Sequence, residues 1–156
     1  MKKKVYLDTT LPSYHFDTRK ETDYLIKATK EWFRKEAGNY DIYVSEATLV
    51  EAENGRHRKK QEIVTFIRRW KSLPYDPVIE QIVATYIENF VMPADFGGDA
   101  LHLAYASYYK MDFLLTWNCG HLANANKREH IRIINARLGL YVPAIVTPLE
   151  LRSLGE

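Results

Sequence analysis

The sequence predicts a three-layer α/β domain in which helices cover both faces of a central, mainly parallel sheet. Two observations carry that expectation. Short apolar runs that read as strands alternate with longer segments whose apolar residues recur every three or four positions. One of those runs, Asp112-Phe113-Leu114-Leu115-Thr116, is apolar almost without a break, the pattern of a strand covered on both faces. With 156 residues, and no internal repeat, low-complexity tract or interdomain linker, the chain reads as a single domain over 1–156.

Taken in order, Val5-Tyr6-Leu7 is the first buried strand, closed by Asp8. Residues 23–37 place Tyr24, Leu25, Ala28, Trp32 and Phe33 at helical spacing, and Gly38-Asn39 is a stop that tolerates a left-handed cap. Residues 41–44 form a second β-rich run. Ser45 then caps a helix over 46–54, only partly, because a capping box wants an acid or amide where Thr48 stands. Gly55 ends it. A third helix spans 58–70 with Ile63, Phe66, Ile67 and Trp70 on one stripe, and Leu73 to Pro77 is a proline-bounded connector. The helix over 77–90 turns Val78, Ile82, Val83, Tyr86, Ile87 and Phe90 to its apolar side. Pro93 and Gly97-Gly98 make the next link a loop. From Asp99 a helix with small residues follows, suited to close packing on a sheet. Residues 112–116 are a strand, 126–138 a helix stopped by Gly139, and 142–146 a last strand.

Composition excludes several classes. Hydrophobic residues at 46% and charged residues at 27% argue against disorder. The single Cys119 precludes an intrachain disulfide or a thiolate metal site, and with it points to a reducing, cytoplasmic setting. The basic N-terminal tip reaches Asp8 after three apolar or aromatic residues, so no signal-peptide core is expected, and no run approaches a membrane span. Net charge is only +2, yet positive side chains bunch at Arg56-His57-Arg58-Lys59-Lys60, at Arg68-Arg69 and at Lys127-Arg128 with Arg132. Such clusters either form solvated helix surface or neutralise the phosphates of a polyanion.

Four residues with oxygen-bearing side chains stand where predicted strands end or helices begin. Asp8 ends the first strand, Glu51 lies along the helix after the second, Asp99 opens its helix, and Asn118 follows the strand ending in Thr116. In open α/β sheets the ligand site lies beyond the carboxyl ends of the strands, so the four are expected to converge. Clustered carboxylates repel one another unless a cation offsets them, and an all-oxygen set suits magnesium or manganese. Spacing alone leaves Glu46 and Glu53 as competitors to Glu51.

These segments resemble the PIN-domain ribonucleases, whose best-known members are the VapC-type toxins of toxin–antitoxin pairs. The resemblance runs through Val5-Tyr6-Leu7-Asp8-Thr9, through 44–55 with a glutamate four residues before Gly55, through Asp99-Ala100-Leu101-His102-Leu103-Ala104-Tyr105-Ala106, and through Phe113-Leu114-Leu115-Thr116-Trp117-Asn118. It singles out Glu51 over Glu46. It implies a PIN-like fold and metal-dependent hydrolysis of RNA phosphodiester bonds. Asp8, Glu51, Asp99 and Asn118 would hold Mg2+ or Mn2+, and Thr116 and Asn118 would orient ligand or water. It further implies an RNA substrate, a small antitoxin partner and a homodimer. The chain departs from the family's commoner pattern at Asn118, where an aspartate is usual; an amide oxygen brings no charge, so a second cation would be held less firmly. Asp112, a nearby acid, precedes its strand and should lie at the opposite edge.

The remaining candidates have plainer readings. His102 reads as a structural or surface histidine, His121 and His130 lack the glutamate spacing of a zinc protease, and Cys119 reads as a loop or core thiol. Asn124 and Asn126 read first as a capped helix start. Two rivals to the nuclease follow from the same residues. One is a PIN-like RNA- or protein-binding module with weak or no catalysis; the other is an oligomerisation or regulatory partner whose acids are merely helix caps.

Overall fold

The central strand of the sheet is the first one the chain forms. In the structure, a computed structural model that describes residues 1–89, 91–92 and 97–153, β1 (Lys3–Leu7) is followed by α1 (Thr10–His15), α2 (Asp23–Lys35), β2 (Tyr40–Ser45), α3 (Glu46–Asn54), α4 (Lys60–Arg68) and β3 (Lys71–Leu73). The second half adds α5 (Pro77–Glu88), α6 (Gly97–Tyr108), β4 (Phe113–Leu115), α7 (Ala125–Leu138) and β5 (Ala144–Val146). Strand order is β3-β2-β1-β4-β5, and each neighbouring pair is parallel. The chain therefore winds outward from β1 to one edge, then returns to build β4 and β5 on the other side. That reversal puts a crevice between the carboxyl ends of β1 and β4, where Leu7 pairs with Leu115.

Strand alternation sorts the core into two layers. Val5 and Leu7, with Ile42, Val44 and Leu115, bury against Leu11, Trp32, Ile63 and Ile67 of α1, α2 and α4. Tyr6, with Leu114 and Ile145, buries against Ile79, Ile82, Tyr86, Leu103 and Ile134 of α5, α6 and α7. Each fully buried Leu or Ile contributes about 2 kcal/mol of transfer free energy. α3 supplies both layers, with Ala47 in the Tyr6 layer and Ala52 in the Leu7 layer, so it joins the two helical layers beside the ends of β1 and β2.

Several expectations need correction. Gly97-Gly98 is no loop; both residues begin α6, and Asp99 falls in its first turn. The residue Leu73, assigned to a connector, ends β3, an edge strand too short and polar to carry a period-2 signal. The short α1 was not expected; its proline sits in the first turn, where no helical N–H is lost. The helix expected over 58–70 is confined to 60–68, and on α5 Ile79 is buried while Val78 is 38% exposed. The cap at Ser45 is complete: its hydroxyl accepts from the helix start and the Thr48 hydroxyl returns the bond to Ser45 N–H, doing the work of the usual acid. Phe90 and Pro93 lie outside the described residues. No described helix is long and apolar enough to cross a membrane.

Candidate functional site

Asp8 emerges from the end of β1 with 2% of its surface exposed. Its Oδ1 accepts from the Thr10 backbone N–H at 3.0 Å and from the Thr10 hydroxyl, and its Oδ2 accepts from the Thr116 hydroxyl. The same two hydroxyls carry the loop after β4: Thr10 Oγ1 accepts from Trp117 N–H at 2.9 Å, and Thr116 Oγ1 from Asn118 N–H at 2.9 Å. Trp117 is pinned in turn by its indole N–H, which donates to Thr29 Oγ1 on α2 at 2.8 Å. The β1 and β4 loops are thus stitched together through the carboxylate of Asp8. Burial raises the proton affinity of Asp8 above the ordinary carboxylate range, against the opposing charge of His102 and the bonds from Thr10 and Thr116.

Glu51, on the second turn of α3, is the solvent-facing member. Its Oε1 accepts from the Thr9 hydroxyl at 3.0 Å and from His102 Nε2. Gly98 explains how it fits: a Cβ at that position would lie 2.7 Å from Glu51 Oε2, so only glycine leaves the carboxylate its place. Burial pushes the Glu51 carboxyl up, but the hydrogen bonds and charge of His102, with the bond from Thr9, bring it below the usual value.

Asp99 accepts at Oδ2 from Asn118 Nδ2 at 2.8 Å and contacts His121 Nδ1 at 3.2 Å. Burial raises its proton affinity as well, His102 and His121 pull it back, and Glu51 pushes it further up. Asn118 thus turns its NH2 group to Asp99 while its Oδ1 accepts from His121 N–H at 3.0 Å. In this arrangement Asn118 orients the aspartate as a donor, and its oxygen closes the 118–121 turn.

His102, read from the sequence as a structural or surface histidine, is a buried one that holds a site carboxylate. It is 1% exposed, and it lies between the Tyr6 hydroxyl, 2.6 Å from Nδ1, and Glu51 at Nε2. Tyr6 continues the chain to Ser45 Oγ at 2.6 Å and Thr48 Oγ1 at 3.3 Å. Burial lowers the histidine's proton affinity, yet Glu51, Asp8 and Asp99 outweigh it and raise the net value, so the ring is held towards the imidazolium with a donor on each nitrogen. The available signal was the three-residue offset from Asp99, which puts both on one face of α6. His121 and Thr10 were also missed as partners of the acids. Asp112 lies at the opposite end of β4, accepting from Lys4 N–H at 2.8 Å, as its position before the strand implied. Asn124 caps α7, accepting from Asn126 N–H at 3.0 Å, and Cys119 is exposed.

Among the described residues no Lys or Arg pairs with Asp8, Glu51 or Asp99; histidines are their only cationic contacts. Glu51 Oε2 and Asp99 Oδ1 accept from none of the described donors. These oxygens suit a hard divalent cation, although no three His, Cys, Asp or Glu side chains among the described residues are drawn together as a metal cage. Compared with models of known protein families and with curated proteins, the chain matches none.

Proposed function

We propose that the chain is a PIN-like, metal-dependent endoribonuclease, the toxin of a toxin–antitoxin pair that works as a dimer with a small antitoxin. The observation that carries the reading is the placement of Asp8, Glu51 and Asp99 around His102, whose charge acts on all three, with no Lys or Arg among the described residues paired to them. Buried acids raised in proton affinity, as Asp8 and Asp99 are, gain most from an added cation. Asp8, Glu51 and Asp99 would hold Mg2+ or Mn2+, which when bound supplies a nucleophilic water and offsets charge on the phosphoryl oxygens. Thr10 and Thr116 fix the Asp8 carboxylate, His102 and Thr9 fix Glu51, and Asn118 fixes Asp99. The site oxygens are thereby oriented before substrate arrives.

One observation favours a second reading. With Asn118 presenting its NH2 group and no closed metal cage among the described residues, the same crevice serves a PIN-like RNA- or protein-binding module of weak or no catalysis. A single assay separates the two. Purified protein incubated with single-stranded RNA and Mn2+ should cleave it, and cleavage should vanish with EDTA and fall at least 100-fold in Asp99→Asn. Cleavage by that variant at the parent rate, in a preparation free of other nucleases, refutes the nuclease reading. RNA that is bound but left intact by the parent protein supports the binding module.

A further inference from the structure

A groove of about 640 Å³ opens between the chain after α1 and the loop joining α3 to α4. It is lined by Phe16, by the cations Arg19, Arg56, Arg58 and Lys59, and by only two acids, Asp17 and Glu62. Arg19 is committed to Asp17 through a 2.7 Å ion pair. Arg56, Arg58 and Lys59 are exposed and form no ion pair among the described residues. An unpartnered basic run on a floppy loop would be ordinary solvated surface. This one is held from beneath by His57, whose Nε2 donates to Ser13 C=O at 3.0 Å and whose Nδ1 accepts from Lys59 N–H at 3.0 Å. Both nitrogens are used, so the imidazole acts as a neutral strut between the loop and α1.

We infer that this groove is the track for a single-stranded RNA segment, with Arg56, Arg58 and Lys59 taking successive phosphates; the identification of the strand as RNA rests on the nuclease reading. Two features favour a nucleic acid strand over other polyanions. A second hollow of about 370 Å³ shares Phe16 and Glu62 with the first and ends at Arg69. There the guanidinium lies 4.8 Å from the Phe66 ring centre and 5.8 Å from that of Trp70, leaving a flat cation on which a base can stack. The groove also adjoins the carboxylates through two short elements. α1 runs from Thr10, which holds Asp8, to the edge of Phe16, about 9 Å at the helical rise, and Arg56 follows Glu51 by five residues. The groove is thus joined to the neighbourhood of Asp8 and Glu51 by one short helix and one short stretch of chain.

The test is equilibrium binding of a fluorescein-labelled oligouridylate, read by anisotropy across a salt series in EDTA, where no cleavage can occur. The triple variant Arg56→Ala/Arg58→Ala/Lys59→Ala should keep the parent melting temperature, since all three side chains are exposed. Its affinity should fall about 10- to 100-fold at low salt, and its log–log salt slope should shrink by about 2, near 0.7 for each phosphate no longer neutralised. Lys2→Ala/Lys3→Ala/Lys4→Ala removes equal charge from the opposite end of β1 and should bind as the parent does. Unchanged affinity in the loop variant, an equal loss in the β1 variant, or no binding by the parent overturns the inference. Groove-dependent binding by a protein that never cleaves RNA with Mn2+ leaves this inference standing and removes the nuclease reading.

Discussion

α1 has an aspartate at each end, and the two are handled in opposite ways. Asp8 stands just before the helix and Asp17 just after it; both are buried, at 2% and 9% exposure, and both accept several hydrogen bonds. Asp17 receives the Arg19 guanidinium through Nε and NH2 at 2.9 and 2.7 Å, with the Thr22 hydroxyl at 3.1 Å, and sits well below the usual carboxylate range because of that side-chain bond. Asp8 receives two hydroxyls and one N–H and still lies above the usual range, because burial dominates. Neutral donors compensate for lost hydration without supplying charge, whereas a guanidinium supplies both. Asp17 is a finished structural ion pair; Asp8 has for charge only that of His102, which is not among its hydrogen-bond partners, to set against its burial. That contrast is why the β1 end of the helix, and not its other end, is the functional candidate.

The largest effect is expected from making Asp8 neutral. Asp8→Asn should reduce Mn2+-dependent RNA cleavage at least 100-fold, about 2.7 kcal/mol of transition-state stabilisation, while melting at or above the parent temperature in EDTA. The amide oxygen can keep both Thr10 bonds, and the cost of burying the charge is gone. A variant that loses its stability along with its activity would show that Asp8 is a structural anchor like Asp17. Next in size is Gly98→Ala. Its methyl group would displace Glu51 Oε2, the tip of a flexible side chain, so the fold should tolerate it within about 1 kcal/mol. Cleavage should nonetheless fall about tenfold, because Glu51 must leave Thr9 or His102. Parent-like cleavage by Gly98→Ala would mean that Glu51 works equally well elsewhere. Smaller again, Asp17→Asn should lower stability by on the order of 1 kcal/mol, or about 2–4 °C in melting temperature, with cleavage unaffected.

The same contrast marks what the sequence discloses. The sheet was legible because Val5-Tyr6-Leu7 and Leu114-Leu115 are buried on both faces and, with the half-buried Phe113, read as continuous apolar runs. Edge strand β3, with Lys71 and Ser72 exposed, carried no such signal. Asp8 and Asp99 could be placed from topology, since each is tied to an element end, whereas Glu51, within α3, was singled out by the family resemblance alone. Their supporting residues could not. Tyr6 and His102 meet across 96 positions, Thr10 and Trp117 across 107, and nothing local predicts either pairing. Asn118 was expected to offer its oxygen to a cation; which end of its amide faces Asp99 depends on the 118–121 turn, and that is settled only by the fold.

The two aspartates should also part company with pH. Unfolded, each titrates near 3.8. Asp17 titrates lower when folded, so its stabilisation is fully present above 3.8 and is lost as pH falls through the folded value. Asp8 titrates higher when folded, so its charge subtracts nothing below 3.8 and subtracts progressively more as pH rises from there to the folded value. Melting temperatures of the parent, Asp8→Asn and Asp17→Asn, taken in EDTA from pH 3 to pH 7, should therefore bring Asp8→Asn onto the parent at the acid end and narrow, without closing, the gap to Asp17→Asn. Towards pH 7 they should fan out, Asp8→Asn above the parent and Asp17→Asn below it. An Asp8→Asn curve whose advantage is greatest at pH 3 would mean that the three hydroxyl and N–H bonds, and not burial, set the state of Asp8. The cost of burying the Asp8 charge, which an added cation would relieve, would then be absent.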